Sequence, residues 1–437
     1  MATRFAQLRT FDHVLLAISG GSDSTALMCL VADWAANPDI SSPDVTAITV
    51  DHRLRPESTL EAAQVASNAR ALQLPHRILE WTGSKPSSGL QVAARRARYQ
   101  LITNYAKRLR GKSVIVTAHT LEDQAETVLM RLGRGSGPDG LAGIPEKGSY
   151  DEIALLRPLL SISGRTLLSY LKSKDISWID DPSNHSEQFE RVRIRKAHDA
   201  RTNLGLSNKA LARTAKRMAR AKKALDIGAQ SLLKTLLVDQ KWLLYGAIIW
   251  KPSRINFSEE LSIRALRSIL RTCGGNREYP ELGQVEDLQC TLSSRRFAGA
   301  TLAGCRLINI SNDSDPTVLI CREPSRISTE PTPVLPNQDT VWDHRFVIRC
   351  DDVSPALTVT KCDPNIDAPL LRKSNDAFYH IPSEILASLP IVRSGESPVL
   401  APNNAWQDFG GQLTLRFMTD RFTISAETCV HFGQINS

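Results

Sequence analysis

No stretch of this 437-residue chain approaches the ~20 consecutive apolar residues that a membrane-spanning helix requires. The N-terminus, Met1-Ala2-Thr3-Arg4-Phe5-Ala6-Gln7, has no secretion-signal core, since Asp12 and polar positions interrupt it. A cytosolic address and no membrane partner are the expectation. Cys-x-x-Cys spacing is also missing: the eight cysteines are scattered singly. That argues against zinc ribbons, iron–sulfur ligation and a disulfide framework. Cys29 falls in an expected core helix and reads as a small buried hydrophobe. The chain shows no internal repeat and no low-complexity tract. Its glycine-rich turn at 19–24 lacks the lysine of the Gly-x-x-x-x-Gly-Lys-Ser/Thr pattern, which argues against an ordinary γ-phosphate-cleaving ATPase loop.

What is present is ordinary globular composition, 42% hydrophobic and 23% charged, over a length that suggests two or three domains. In the first half, Val14 to Ser19, Val45 to His52, His76 to Trp81 and Ser113 to His119 read as strands. Between them Thr25 to Trp34, Glu57 to Leu72 and Leu90 to Leu109 read as helices. Such alternation predicts an α/β fold with a doubly wound parallel sheet and ligands at the carboxyl ends of its strands.

The turn Ser19-Gly20-Gly21-Ser22-Asp23-Ser24 joins the first strand to the first of these helices. A helix start offers unpaired N–H groups and a positive dipole end to an anion. Gly20 and Gly21 permit a sharp turn and a close approach, the serines add donors, and Asp23 can hold Mg²⁺ against phosphate oxygens. Val50-Asp51-His52-Arg53-Leu54-Arg55-Pro56 ends the second strand with polar groups where adenosine would lie. Arg95 and Arg98 stand one turn apart on a helix. The fourth strand runs into His119 and then Asp123 and Glu126, three apart on one helix face. That acidic pair suits either a metal or a cationic substrate; as structural alternatives it favours the helix dipole and His119 is a core histidine. Arg134-Gly135-Ser136-Gly137-Pro138 breaks this helix into a loop near the site.

Net charge is +8, from 54 Lys+Arg against 46 Asp+Glu, and its distribution matters more than its size. Arg191, Arg193, Arg195 and Lys196 begin a basic stretch that continues to Lys223. Within it Leu211, Ala215, Met218 and Leu225 recur at helical spacing while Arg213, Lys216, Arg217 and Arg220 take another face. Such a face fits contact with a phosphate backbone, or is simply solvated. Farther on, Leu261 to Leu270 reads as a helix and Arg295 to Ile310 as short strands broken at Gly299 and Gly304. Residues 323–340, with four prolines, read as a linker. Alternating segments such as Arg345 to Arg349 and Gln412 to Phe417 then suggest a small β-rich domain.

These motifs, with Ile179-Asp180-Asp181-Pro182-Ser183-Asn184 and Arg191-Val192-Arg193-Ile194-Arg195, occur in an order and spacing that resembles the bacterial tRNA(Ile)-lysidine synthetases. Those are N-type PP-loop pyrophosphatases, which split ATP into AMP and pyrophosphate. The close resemblance covers about residues 13–200; beyond that it is weaker. It implies a catalytic domain over 1–200, a mainly helical tRNA-contacting domain over 201–322, the linker at 323–340 and a β-rich domain over 341–437. It implies a ligase that adenylates the wobble cytidine of a CAU-anticodon tRNA(Ile) at O2 and then joins free L-lysine to C2, giving lysidine. Ser19, Gly20, Gly21, Ser22 and Ser24 would cradle pyrophosphate, Asp23 would hold Mg²⁺, and Asp51 and His52 would complete the ATP site. Asp123 and Glu126 would bind the lysine ammonium, and His119, Arg95 and Arg98 would contact the activated base or α-phosphate. Arg193, Arg195, Arg213, Arg217 and Arg220 would grip tRNA. A homodimer stays open.

Two positions depart from the family pattern: Glu122-Asp123 replaces paired aspartates, keeping the charge, and Val192 replaces an asparagine, losing an amide. Two rivals remain. A 2-thiolase needs a thiolate or cluster near the loop, whereas Cys29 lies within a helix. A silent tRNA-binding paralogue would tolerate loss of Asp23, Asp123 or Glu126, and all three are present.

Overall fold

The structure, a computed structural model, describes residues 2–38, 42–54, 57–180, 188, 190–237, 240–251, 259–292, 294, 297–311, 317–350, 356–374, 376–400 and 413–418. Arg55, Pro56 and Asp181 to Asn184, parts of two motifs above, lie outside the described residues. The chain forms two compact units, residues 1–223 and 224–425.

The first unit contains α1 (Ala2–Phe5), β1 (His13–Ala17), α2 (Ser22–Ala35), β2 (Asp44–Asp51), α3 (Ser58–Ala71), β3 (His76–Glu80), α4 (Leu90–Ala106), β4 (Ser113–Val116) and α5 (Leu121–Gly133). It continues through α6 (Pro138–Leu141), β5 (Lys147–Tyr150), β6 (Ile153–Leu156), α7 (Gly164–Ser173), α8 (Glu190–Lys196), α9 (His198–Asn203) and the start of α10 (Asn208–Leu237). The strands form one sheet in the order β3-β2-β1-β4-β6-β5, parallel except for the β5–β6 hairpin. Expected strands and helices of the first half all occur, each shorter or longer by a few residues. The hairpin adds two strands that carry no parallel-sheet signature of their own.

Chain order reverses between β1 and β4, so the loops leaving these adjacent strands diverge and open a crevice at their carboxyl ends. Burial on both faces explains the uninterrupted apolar runs: Val14, Leu15 and Leu16 of β1 and Val114, Ile115 and Val116 of β4 are fully buried. Helix α2 is apolar almost all round, and Ala26, Leu27, Met28, Cys29 and Val31 are buried in the core. Burial pushes the Cys29 thiol up to about 11, as suits a packing residue.

The second unit comprises β7 (Ile248–Trp250), α11 (Glu259–Cys273), α12 (Leu282–Leu292), β8 (Gly299–Leu302), β9 (Cys305–Asn309), β10 (Val318–Arg322), β11 (Thr332–Val334), β12 (Asp339–Trp342) and β13 (Phe346–Cys350). It ends with β14 (Leu357–Lys361), α13 (Asp367–Ser374), α14 (Ser383–Leu386), β15 (Pro390–Ser394), β16 (Ser397–Leu400) and β17 (Leu413–Phe417). Among the described residues three antiparallel sheets result: β7-β10-β9-β8, β11-β14-β15-β16 and β12-β13-β17. Residues 201–322 thus carry the long helices α10, α11 and α12 and also a four-stranded sheet. The segment 323–340, expected as a linker, contains β11 and the start of β12. Its prolines are accommodated because β11 is an edge strand, where Pro333 has no ladder bond to donate.

All cysteines among the described residues are free, and only Cys290 is exposed. Among the described residues no helix is long and apolar enough to cross a membrane.

Candidate active site

The loop after β1 is held by its own hydroxyls. Ser24 Oγ donates to Gly21 O at 2.9 Å and lies 3.2 Å from Ser19 Oγ, while Thr25 Oγ1 donates to Gly20 O at 3.0 Å. Gly20 has φ +89°, and a Cβ there would stand 2.5 Å from Ile179 Cδ1. The Ile179 N–H donates to Gly20 O at 2.9 Å, so the segment leading into the Asp-Asp-Pro-Ser-Asn motif lies directly on the loop. Only glycine satisfies both the turn and this contact. Ser22 and Asp23 open α2, and no side chain caps its N-terminus, which leaves first-turn N–H groups for an anion.

Facing Asp23 is the start of α5. The Thr120 N–H and Oγ1 both donate to Asp123 Oδ2, at 2.8 and 3.2 Å. Glu126, one turn on, is buried with a side chain 2% exposed and receives Arg195 Nε and Nη2 at 2.8 and 3.2 Å. Arg191 Nη1 lies 3.9 Å from Asp123 Oδ1. Burial pushes the Asp23 carboxyl up to about 7; Asp123, Glu122 and Glu126 add to this and Arg195 opposes it. Burial likewise raises Glu126 despite its arginine partner. Gly164 closes this side: its N–H donates to Glu122 Oε2 at 2.8 Å, and a Cβ there would stand 3.3 Å from Asp23 Oδ1. Four carboxylates from α2 and α5 therefore gather at one place, tempered by the arginines of α8.

The opposite lining is cationic. His119 Nδ1 lies 2.7 Å from Thr117 Oγ1 just beyond β4. Its ring is held neutral well below the ordinary histidine range, first by burial and then by Arg95, Arg157, Arg191 and Arg98. Arg95 stands over the Tyr99 ring at 5.5 Å. Arg98 makes no hydrogen bond or ion pair with any described residue, and burial lowers its pKa. Beside it His52 packs edge-on to Trp81, centroids 5.7 Å apart, with both ring nitrogens buried and unpartnered. Burial, then Arg98, lowers His52 to about 4. A neutral imidazole and an unpaired guanidinium thus line the crevice.

Asp51 is turned toward its own loop. Its oxygens accept from the Arg53 N–H (2.8 Å), Ser58 Oγ (2.7 Å) and Thr59 Oγ1 (3.0 Å). Burial works to raise this carboxyl, but those bonds and the Arg53 charge outweigh it and hold it below its ordinary value. Arg193 is exposed and donates to Gln188 O at 3.1 Å, whereas Arg195 faces Glu126. On α10, Leu211 and Ala215 bury against Ala125 and Val128 of α5. Arg213, Lys216, Arg217 and Arg220 are exposed, with no partner among the described residues.

Three residues of the site escape sequence reasoning. Glu122 looks like a spare acid but also accepts from Asn208 Nδ2 at 3.1 Å, tying α5 to the first turn of α10. Arg191 looks like part of the basic stretch but neighbours Asp123. Arg157 follows a strand that no periodicity announces. Val192, in place of an amide, is buried. Among the described residues no three His, Cys, Asp or Glu side chains, these carboxylates included, are arranged to hold a metal ion by themselves. Asp23 nonetheless fits a magnesium ion: a carboxyl crowded by three others would be relieved by a cation, which could draw its remaining ligands from phosphates and water.

Comparison with known proteins agrees with this geometry. The PP-loop domain family matches residues 1–198. A tRNA(Ile)-lysidine synthase of Rhodopseudomonas palustris is 41% identical over 324 residues, covering 71% of this chain and 91% of its own length. One from Bradyrhizobium sp. (strain BTAi1) is 46% identical over 307 residues, covering 69% and 84%. One from Anaplasma marginale is 31% identical over 411 residues, covering 90% and 85%.

Proposed function

From the premise that the chain belongs to the tRNA(Ile)-lysidine synthase family, we infer that it uses ATP to convert the wobble cytidine of tRNA(Ile) into lysidine, releasing AMP and pyrophosphate. The observation that carries this reading is the pairing of an acidic pocket with a cationic one on either side of the PP-loop. Few reactions need both. A triphosphate and an ammonium nucleophile must meet at one base, and each wants the opposite lining.

In the first half-reaction, cytidine O2 attacks the α-phosphorus of ATP and pyrophosphate leaves. The Ser19–Ser24 loop and the first turn of α2 supply N–H and hydroxyl donors to the leaving group. Arg98, with no counter-ion among the described residues, is available to an α-phosphate oxygen, with Arg95 beside it. His119, with Nδ1 engaged by Thr117, has Nε2 left to serve the base. Magnesium held by Asp23 would offset the charge that develops on the phosphates. Asp51 supports this end of the site indirectly, by shaping the loop that carries His52 against Trp81.

In the second half-reaction, the lysine ε-amine attacks C2 and AMP departs. An ammonium with an ordinary pKa of ~10.4 must lose a proton before it attacks. Asp123 and Glu126 bind the incoming ammonium and accept that proton. Arg195 covers Glu126, so lysine enters by taking the place of its guanidinium. An anticodon base suits the crevice because it is splayed out of its stack at low cost. Exposed Arg193, Arg213, Arg217 and Arg220 run along α8 and α10 as phosphate contacts for the tRNA.

Incubation with ATP, Mg²⁺, labelled lysine and a CAU-anticodon tRNA(Ile) transcript, followed by mass analysis of the anticodon nucleosides, tests the reading. Lysine on the wobble cytidine with AMP and pyrophosphate released is the expected result. Pyrophosphate release without lysine incorporation would keep the ATP chemistry and reject lysine as the second substrate.

A further inference from the structure

Among the described residues Arg157 is one of the largest fully buried side chains, 1% exposed, and none of their carboxylates pairs with it. Its Nη1 donates to Pro145 O at 2.8 Å, its guanidinium also bonds the Tyr99 side chain, and its buried Nε has no partner. A buried cation without a counter-ion is costly, and a core that needed only volume would use leucine. Something else requires the charge.

The surroundings indicate what. Arg157 directly follows β6, and the carbonyl of its neighbour Leu156 accepts the Thr117 N–H at 3.0 Å. Thr117 in turn holds His119 through the 2.7 Å contact at Nδ1. On its other side Arg157 fixes Tyr99, which stacks on Tyr150 with centroids 5.3 Å apart and carries Arg95 over its face at 5.5 Å. The guanidinium therefore backs Arg95 through Tyr99, while the backbone beside it holds Thr117 and, through Thr117, His119.

We propose that Arg157 is a positioning residue of the adenylation step, which seats Arg95 through Tyr99 and, from the end of β6, backs the Thr117–His119 contact so that Nδ1 stays engaged by Thr117 and Nε2–H is offered to the substrate. The proposal rests on the reading that this crevice carries out ATP-dependent adenylation. The leading charges acting on His119 are Arg95 and Arg98 of α4, Arg157 beyond β6 and Arg191 of α8. A neutral ring among four cations becomes a hydrogen-bond donor for a phosphate or carbonyl oxygen without adding a fifth positive charge. Arg157 touches neither substrate and acts through its neighbours.

The test uses the full chain with ¹³C,¹⁵N-labelled histidine, ATP-Mg²⁺ and tRNA(Ile) transcript. In the wild type, His119 should titrate well below the ordinary ~6.5 and show the Nε2–H tautomer. Arg157→Met should move that titration upward and lower kcat for pyrophosphate release on the order of 10- to 100-fold, with KM for ATP changed less than about threefold. Arg157→Lys should restore most of the titration and part of kcat. A purely structural role would reduce the folded fraction yet leave the His119 titration of the folded molecules unmoved, and that result overturns the proposal. If Arg157→Met does not fold, the wild type still decides: protonation of His119 near ~6.5, or an Nδ1–H tautomer, refutes it. Absence of any pyrophosphate release from the wild type would instead reject the adenylation reading itself.

Discussion

Replacing Asp23 by asparagine should destroy activity and stabilise the protein at the same time. The Asp23 carboxyl is pushed from 3.8 to about 7, chiefly by burial and then by Asp123 and Glu122. A carboxyl held some three pH units above its unfolded value makes the folded state bind the extra proton. Its stability contribution is complete below the unfolded pKa and is lost as pH rises through the folded one. At pH 8 the ionised group therefore costs the fold on the order of 4 kcal/mol as an upper bound, from ~1.36 kcal/mol per pH unit. Relaxation and water reduce this, so a realised gain of ~2 kcal/mol or more is expected for Asp23→Asn, which keeps the shape and drops the charge. For a unit of this size that is a rise in melting temperature on the order of 5 °C, at roughly 2–4 °C per kcal/mol. Thermal unfolding without nucleotide should show the gap at pH 8 and its contraction by about half at pH 5.5. Mg²⁺ with a non-hydrolysable ATP analogue should stabilise only the wild type, and pyrophosphate release should be lost in the variant. A variant less stable than the wild type at pH 8, or a gap indifferent to pH, would refute the crowded-carboxylate account.

Gly20→Ala should cost roughly 1–3 kcal/mol and raise KM for ATP, because it strains a positive φ and drives a methyl into Ile179; unaltered stability would mean that the loop does not hold this turn. Arg217→Ala with Arg220→Ala should weaken tRNA binding and reduce the slope of log K against log salt by about one per lost phosphate contact; an unchanged slope would leave that face merely solvated. Arg195→Ala should uncover Glu126 and destabilise the protein, and millimolar lysine should restore its melting temperature where norleucine does not; equal effects of the two amino acids would reject the ammonium pocket.

Much of the catalytic unit was legible because its signals are local. Strand, glycine turn and helix start follow one another within 13–35, and the capping contact of Thr120 with Asp123 spans three residues. The inward face of α10 was readable from the spacing of Leu211 and Ala215. What escaped depends on partners distant in sequence. Arg157 acquires its meaning only when β6 pairs beside β4, and Glu122 only when Gly164 and Asn208 reach it. Arg195 reads as one more basic residue until α8 brings it 69 positions back to Glu126. Residues 323–340 misled through composition: proline breaks an interior strand but is harmless at the sheet edge where Pro333 sits.

The distribution of thiols has a practical consequence for watching this enzyme work. Cys29 is sealed inside α2 with its thiol pushed up to about 11, so maleimides and mild oxidants should pass it by. Among the described residues Cys290 alone is exposed, and conservative replacements there and at Cys429, which lies outside the described residues, remove the competitors for a label. A single reporter cysteine, set for instance on the solvent face of α10 at exposed Thr214, could then carry a fluorophore or spin label. Arrival of the RNA could be timed separately from the release of pyrophosphate.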